Sequence, residues 1–139
     1  MPSDPVRIAE VRSWFKKAAD DFRAAEHDLA AEAPLLEDAL FHAQQAAEKT
    51  LKGFLTWHNC PFRKTHDLIE IGRQCVEIDA SLEPLLRRAA PLTEYAWKFR
   101  YPGDADEPSA DETTHALEVA REVWQAILAR LPDEIRPRA

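Results

Sequence analysis

The sequence predicts an all-α protein, a compact bundle of about five helices with a long antiparallel helix pair at its centre. Hydrophobic residues make up 45% of the 139 positions and recur in steps of three and four, the period of helices with one buried face. Only three glycines occur, and no run alternates apolar with polar residues as a half-buried strand would. A chain of this length forms one domain, residues 1–139, and can bury a core without metals or disulfides.

The first two helices are predicted to form the antiparallel pair. Asp4 should cap the first helix, with Pro5 in the first turn, where the missing N–H costs nothing. This helix runs to about Ala31, and its apolar positions have the spacing of a seam against a neighbouring helix. Pro34 opens the second helix, which ends near His58 before a proline-containing turn.

The next two helices have less distinct boundaries in the sequence. Thr65 is predicted to cap a short third helix, with Asp67 in its first turn. Ser81 is predicted to cap a fourth helix. Pro91 should kink that helix ahead of its aromatic end, because proline removes one backbone hydrogen bond.

The last helix follows a segment that has the composition of an exposed loop. Residues 101–108 contain two prolines, one glycine and three acids. Ser109 and Glu112 then form a capping-box pattern at the start of the fifth helix, and Pro132 ends it.

The overall composition excludes several classes of protein. A net charge of −7 disfavours bulk electrostatic binding to nucleic acid or to an anionic membrane, although a local basic patch is compatible with it. Cys60 and Cys75 are too few for a disulfide framework, and no apolar stretch is long enough to span a membrane. These features predict a cytoplasmic protein with reduced thiols, no membrane contact and no cofactor.

One side of the second helix carries a polar line that consists of Phe41, Gln45, Glu48 and Lys52. A solvated face is the simplest interpretation, because a Glu–Lys pair four residues apart is common and weak. Phe41 on the same line would then be exposed, which favours a second chain or a ligand that covers it. Phe41, Gln45 and Glu48 are therefore the predicted dimer or partner face.

Two further segments could bind phosphate. Lys64 and His66 lie at the predicted start of the third helix, where free N–H groups favour an anion, unless Thr65 merely caps that helix. Residues 87–100 hold four basic residues among aromatic ones, a combination that can bind phosphate and stack a base. The same pattern is compatible with a core helix end whose arginines pair with loop acids.

The His and Cys residues do not predict a metal site. His58, Cys60 and His66 lie close in sequence, but their spacing fits no usual zinc site.

Three segments carry a family resemblance: FHAQQAAEKTLKGFL at residues 41–55, RKTHDL at 63–68 and KFRYP at 98–102. In this order they resemble the HEPN domain family of prokaryotic helical proteins, from about Val11 to Leu131. Such domains often lie beside, or are fused to, a minimal nucleotidyltransferase. The resemblance implies a non-catalytic module that dimerises and binds a nucleotide, an RNA or a partner nucleotidyltransferase.

The resemblance also offers a test for catalysis. Many HEPN domains are metal-independent ribonucleases that share an Arg, four to six intervening residues and a His. Arg100 stands where that Arg would be, but positions 105–107 hold Ala, Asp and Glu, so the general acid or base is missing. This disfavours an enzyme.

Two alternatives stay open beside the binding module. One is an RNA-cleaving toxin of a toxin–antitoxin pair, in which Arg100 and a distant His66 form the catalytic site. The other is a purely structural interaction partner. For the binding module, the residues implied for phosphate and base contacts are Lys49, Lys52, Arg100, Tyr101, Lys64 and His66.

Overall fold

The computed structural model describes residues 4–99, 101–103 and 106–137. These residues form five α-helices and no strand, as the sequence predicts: α1 (Pro5–Ala30), α2 (Leu36–Trp57), α3 (Leu68–Ile78), α4 (Glu83–Ala89) and α5 (Ala110–Leu128). Two 3-10 segments, Ala80–Leu82 and Ala90–Ala96, flank α4. Within the described ranges, no helix is both long and apolar enough to cross a lipid bilayer.

Helix α2 occupies the centre of the bundle. It packs against α1 over most of its length and against α5 on another side, and it also contacts α3 and the 3-10 segment Ala90–Ala96. Nearly every side chain from Ala39 to Thr56 is therefore buried, including polar ones. The apolar core consists of side chains from all five helices, among them Phe15, Phe22, Leu40, Phe54, Ile71, Leu86, Val123 and Ile127.

A glycine allows α1 and α2 to approach closely. A Cβ added at Gly53 would lie 2.8 Å from Cε1 of Phe15, which is closer than carbon atoms pack. The Phe15 ring is fully buried and meets Trp124 of α5 edge to face, with 5.9 Å between ring centroids. Glycine at position 53 therefore sets the distance between the two central helices.

The starts of the two long outer helices are confirmed. The Asp4 carboxylate accepts from the backbone N–H of Val6 at 3.0 Å, at the start of α1. The Ser109 hydroxyl accepts from the backbone N–H of Glu112 at 3.0 Å, at the start of α5. Both caps satisfy N–H groups that have no partner inside the helix.

The predicted start of α3 at Thr65 is wrong. Asp67 caps this helix, because its carboxylate accepts from the backbone N–H of Ile69 at 2.9 Å. The Thr65 hydroxyl instead accepts from the N–H of Asp67, and the carbonyl of His66 accepts from Gln44 of α2. A local turn at Thr65 and a tertiary contact at His66 thus hold these two residues outside the helix.

The predicted single helix from Ser81 through the aromatic segment is also wrong. Asp79 caps the 3-10 segment Ala80–Leu82, because it accepts from the backbone N–H of Ser81 at 3.0 Å, and α4 begins at Glu83 without a side-chain cap. Helix α4 ends at Ala89, and the chain continues as the 3-10 segment Ala90–Ala96. Pro91 explains the change, because it has no N–H to donate to the preceding turn.

Asp79 joins the end of α3 to the end of α5. Its carboxylate accepts from the Ser81 hydroxyl at 2.6 Å and from Nε of Arg130 at 2.7 Å. These two hydrogen bonds, the one from Ser81 first, lower the pKa of Asp79 from 3.8 to about 2. The charged carboxylate is therefore the form that the folded chain prefers.

Asp79→Asn should lower the free energy of unfolding at neutral pH. It should also make that free energy depend less on pH in the acid range. Because the folded pKa lies below the ordinary value, stability from Asp79 is present above about pH 4 and is lost as the pH falls toward about 2. Chemical denaturation of both proteins at several pH values checks this. The difference between wild type and variant should shrink through that interval, and a constant difference would contradict it; the exposed Asp133→Asn is the control.

Candidate functional site

The polar line of α2 is buried inside the chain. Relative exposure is 3% for Glu48, 6% for Lys52 and 7% for Gln45, while Gln44 beside them is fully buried. A solvated face is therefore the wrong interpretation of this line. Helix α1 and residues 59–67 cover it, and periodicity along α2 alone could not reveal those covering elements.

Lys52 is held by one carboxylate and two aromatic rings. Its Nζ lies 2.9 Å from Oε2 of Glu48, one helical turn earlier. The same Nζ lies 5.6 Å from the ring centroid of Trp14 in α1 and 5.7 Å from that of Phe62 in the loop before α3. A desolvated ammonium interacts favourably with both ring faces.

Glu48 is the centre of a hydrogen-bonded chain. Its Oε1 accepts from Nε2 of Gln44 at 3.1 Å and lies 2.8 Å from Nδ1 of His66. Gln45 donates to Oε1 of Gln44 at 2.6 Å, which extends the chain along α2. Each member has a partner, as a buried polar network requires. The His66 side chain is 60% exposed, so this chain reaches the surface there.

A cleft of about 520 Å³ opens beside Lys52. We call it the Lys52 cleft; it lies between the first half of α1, the last turns of α2 and the following loop, and its lining residues are Asp4, Val6, Arg7, Glu10, Trp14, Lys52, Thr56, Asn59, Cys60, Pro61, Phe62 and Lys64. Arg7 packs its guanidinium over Trp57 at 5.9 Å. Nε of Arg7 is buried and has no hydrogen-bond partner among the described residues.

A second polar network lies farther along the α1–α2 pair. Asp21 of α1 is 7% exposed and binds Nζ of Lys49 at 2.6 Å and Nδ1 of His42 at 2.8 Å. Near the turn that joins the two helices, burial and the neighbouring Asp38 carboxyl raise the pKa of Asp28 to about 6. The sequence does not indicate this network, because each member taken alone resembles a solvated helix residue.

The structure brings together only part of the predicted binding set. Lys52 and Lys64 line the Lys52 cleft, and His66 is joined to Lys52 through Glu48. Lys49 is engaged by Asp21 instead, and the 72% exposed Tyr101 does not line this cleft. Arg100 lies outside the described residues.

The predicted dimer face is also divided. Gln45 and Glu48 are buried in their own chain, so neither is open to a second one. Phe41 is half-buried and lines a small surface cavity with Lys98 and Phe99. Residues of the same chain thus cover part of Phe41, and a second chain is not needed for that part.

Three of the basic residues near the aromatic segment, Arg87, Arg88 and Lys98, form ion pairs with glutamates. Arg88 binds Glu122 at 2.7 Å, and Lys98 binds Glu94 at 2.9 Å. A further pair joins Arg87 and Glu83. These pairs fit the structural interpretation of this stretch, although the partner acids belong to α4, α5 and the 3-10 segment.

Sequence reasoning missed the aromatic residues of the site. Trp14 lies at helical spacing from Val11 and Ala18, at the edge of the apolar stripe of α1, and Phe62 follows a proline in a loop. The available signal was a large aromatic residue at the edge of that stripe.

The sequence matches the family model of the HEPN domain over residues 11–131. Neither curated proteins nor solved structures provide a match. The family match extends from within α1 to just beyond α5, so it includes the buried line of α2, His66 and the Lys52 cleft except for its lining residues before position 11. The chain belongs to the HEPN domain family.

Proposed function

We propose that this chain is a non-catalytic HEPN module that binds a nucleotide or a short RNA in the Lys52 cleft. HEPN domains are linked to nucleotide or RNA binding or to ribonuclease activity. The observation that carries the proposal is the position of Lys52, whose ammonium lies between Trp14 and Phe62 at the bottom of an open cleft. Cations combined with aromatic faces are what a phosphate and a base require.

The residues that line the cleft offer two kinds of contact, positive charge for a phosphate and aromatic rings for a base. Arg7 and Lys64 supply positive charge, and the buried Nε of Arg7 has a hydrogen that no described residue accepts. Trp14 and Phe62 are only partly buried and offer ring surface for stacking. Asp4 and Glu10 also line the cleft and disfavour a highly charged polyanion. The cleft therefore suits one nucleotide, or one nucleotide of an RNA, better than a long backbone.

Lys64→Met is the most informative variant for this proposal. Lys64 is exposed, so its loss should leave stability unchanged while it weakens binding of labelled nucleotides or short RNAs. If Lys64 contacts a phosphate, the variant should also reduce the salt slope of RNA binding by about 1. Fluorescence anisotropy at two salt concentrations measures both effects.

Lys17→Met is the matched control. Lys17 is an exposed lysine of α1 outside the cleft, so this substitution removes the same charge without changing the cleft lining. Equal losses from both variants would indicate unspecific electrostatics and would overturn the assignment of the cleft. Absence of binding by the wild-type chain would move the proposal to a purely structural interaction partner.

One observation favours a ribonuclease as the second candidate. The Glu48 carboxylate binds Nδ1 of His66, an arrangement that orients an imidazole and leaves Nε2 to act as a general base or acid. In this alternative, the RNA-cleaving toxin, His66 would be the general acid or base, because positions 105–107 hold no histidine. RNA integrity in the same binding samples tests it: cleavage that His66→Ala abolishes would replace the binding proposal.

Dimerisation and docking to a nucleotidyltransferase belong to the same proposal. The half-exposed Phe41, beside Lys98 and Phe99, is the part of the predicted partner face that a second chain can reach. Gln45 and Glu48 would then support the site from inside rather than contact the partner.

A further inference from the structure

Three potential metal ligands meet beside the short turn that joins α1 to α2. Asp28 lies near the end of α1, while Asp38 and His42 lie four residues apart in the first turns of α2. That spacing places Asp38 and His42 on the same side of the helix. One ligand atom from each of the three residues lies within 4.8 Å of the other two, which is the separation expected around a shared cation.

One oxygen of the Asp28 carboxylate lacks a hydrogen-bond donor. Its Oδ2 atom is buried and accepts no hydrogen bond from the described residues. A buried carboxylate oxygen without a donor is costly, and a second carboxylate from Asp38 nearby adds repulsion. Asp38 itself is 54% exposed, so an ion can enter from solvent. The arrangement is one that a positive charge between the residues would stabilise.

His42 is oriented as a ligand. Its Nδ1 lies 2.8 Å from Asp21, whose carboxylate is fixed by Lys49 at 2.6 Å. With its proton on Nδ1, the imidazole directs the lone pair of Nε2 toward Asp38, whose Oδ2 lies 3.4 Å away. A cation between Nε2 and this carboxylate oxygen would then have a ligand atom on each side. Carboxylates behind the distal nitrogen are the usual support of metal-binding histidines.

We propose that Asp28, Asp38 and His42 form a binding site for a divalent transition-metal cation, with water in the remaining coordination positions. Two carboxylates with one imidazole suit Zn²⁺ or Mn²⁺, whereas Ca²⁺ and Mg²⁺ prefer oxygen ligands throughout. The ligands come from two helices that only a short turn connects, so the ion would brace the turn end of the pair. The site shares no residue with the Lys52 cleft and does not depend on the proposed function.

Calorimetric titration of metal-free protein with Zn²⁺ tests the site. We expect one ion per chain and a higher melting temperature in its presence, since a ligand that binds only the folded state stabilises it. Loss of a residue that only hydrogen-bonds a metal ligand lowers metal affinity by roughly 10- to 100-fold. Asp38→Asn and Asp28→Asn each remove a ligand itself, so each should lower the Zn²⁺ affinity by more than this. Because Asp38 is exposed, its variant should fold normally, which circular dichroism verifies.

Two control variants make the result specific. Glu37→Gln removes the same charge from the adjacent exposed position and should leave the affinity unchanged. Cys60→Ser should also leave it unchanged, which separates this site from any zinc bound by the half-buried thiol. The proposal is overturned if wild-type protein binds no Zn²⁺ at millimolar concentration, if Asp38→Asn binds as the wild type does, or if Cys60→Ser abolishes binding.

Discussion

Replacement of Lys52 by methionine is expected to destabilise the folded chain by about 3 kcal/mol, because it leaves the buried Glu48 carboxylate without its cation. This value lies at the lower end of the usual range for a broken buried pair, since Gln44 and His66 still contact the carboxylate. Methionine keeps contact with both aromatic rings, so the loss reports on charge rather than on volume. Urea denaturation measures the change, and nucleotide binding should be lost in the same variant.

A double replacement tests the cause of that loss. In Glu48→Gln with Lys52→Met, no buried charge is left unpaired, and most of the stability should return while binding stays absent. Lys49→Met should cost less than Lys52→Met, because the Lys49 side chain is 21% exposed against 8% for Lys52. A cost below about 1 kcal/mol for Lys52→Met would mean that water reaches Glu48 and solvates it.

Gly53→Ala is the second substitution with a large expected effect. The added Cβ would stand 2.8 Å from the buried Phe15 ring, so α1 and α2 must separate or the ring must shift. Overpacking of this kind costs about 1–3 kcal/mol, which exceeds the gain of at most about 1 kcal/mol in helix propensity. The melting temperature and the denaturation midpoint should both fall.

A shorter side chain at position 15 should remove the destabilising effect of Gly53→Ala. Phe15→Leu removes the ring atoms that the new Cβ would meet, and in that background Gly53→Ala should be neutral or stabilising. If Gly53→Ala destabilises both backgrounds equally, contact with Phe15 is not the cause.

The helix starts show how far the sequence determines the fold. Asp4 and Ser109 precede long amphipathic helices with no competing cap nearby, and both cap as predicted. Near α3, Thr65 and Asp67 can each cap a helix, and propensity does not choose between them. The choice comes from Gln44, which holds the carbonyl of His66, and such a contact between distant residues has no local signature.

Only the part of the candidate site that lies on α2 was predictable from the sequence. The spacing of Glu48 and Lys52 on α2 is visible in the sequence, but their burial depends on Trp14 and on the loop that carries Phe62. Periodicity tells which residues share a face and not which remote segment covers it. Asp21, Asp28 and His42 were missed for the same reason, because their proximity arises from the packing of α1 on α2.

The Lys52 cleft and the Glu48 network beside it combine residues of the central helix with residues of the loop that follows it. Lys52 and Glu48 belong to the most enclosed helix, where almost any change disturbs packing on several sides. Phe62, Lys64 and His66 belong to a connection without regular secondary structure, whose side chains reach solvent. Connections of this kind accept substitutions and insertions that helices do not. Under the proposed function, substitutions in residues 59–66 would alter ligand preference, while the central helix and the stability that it provides are inherited unchanged.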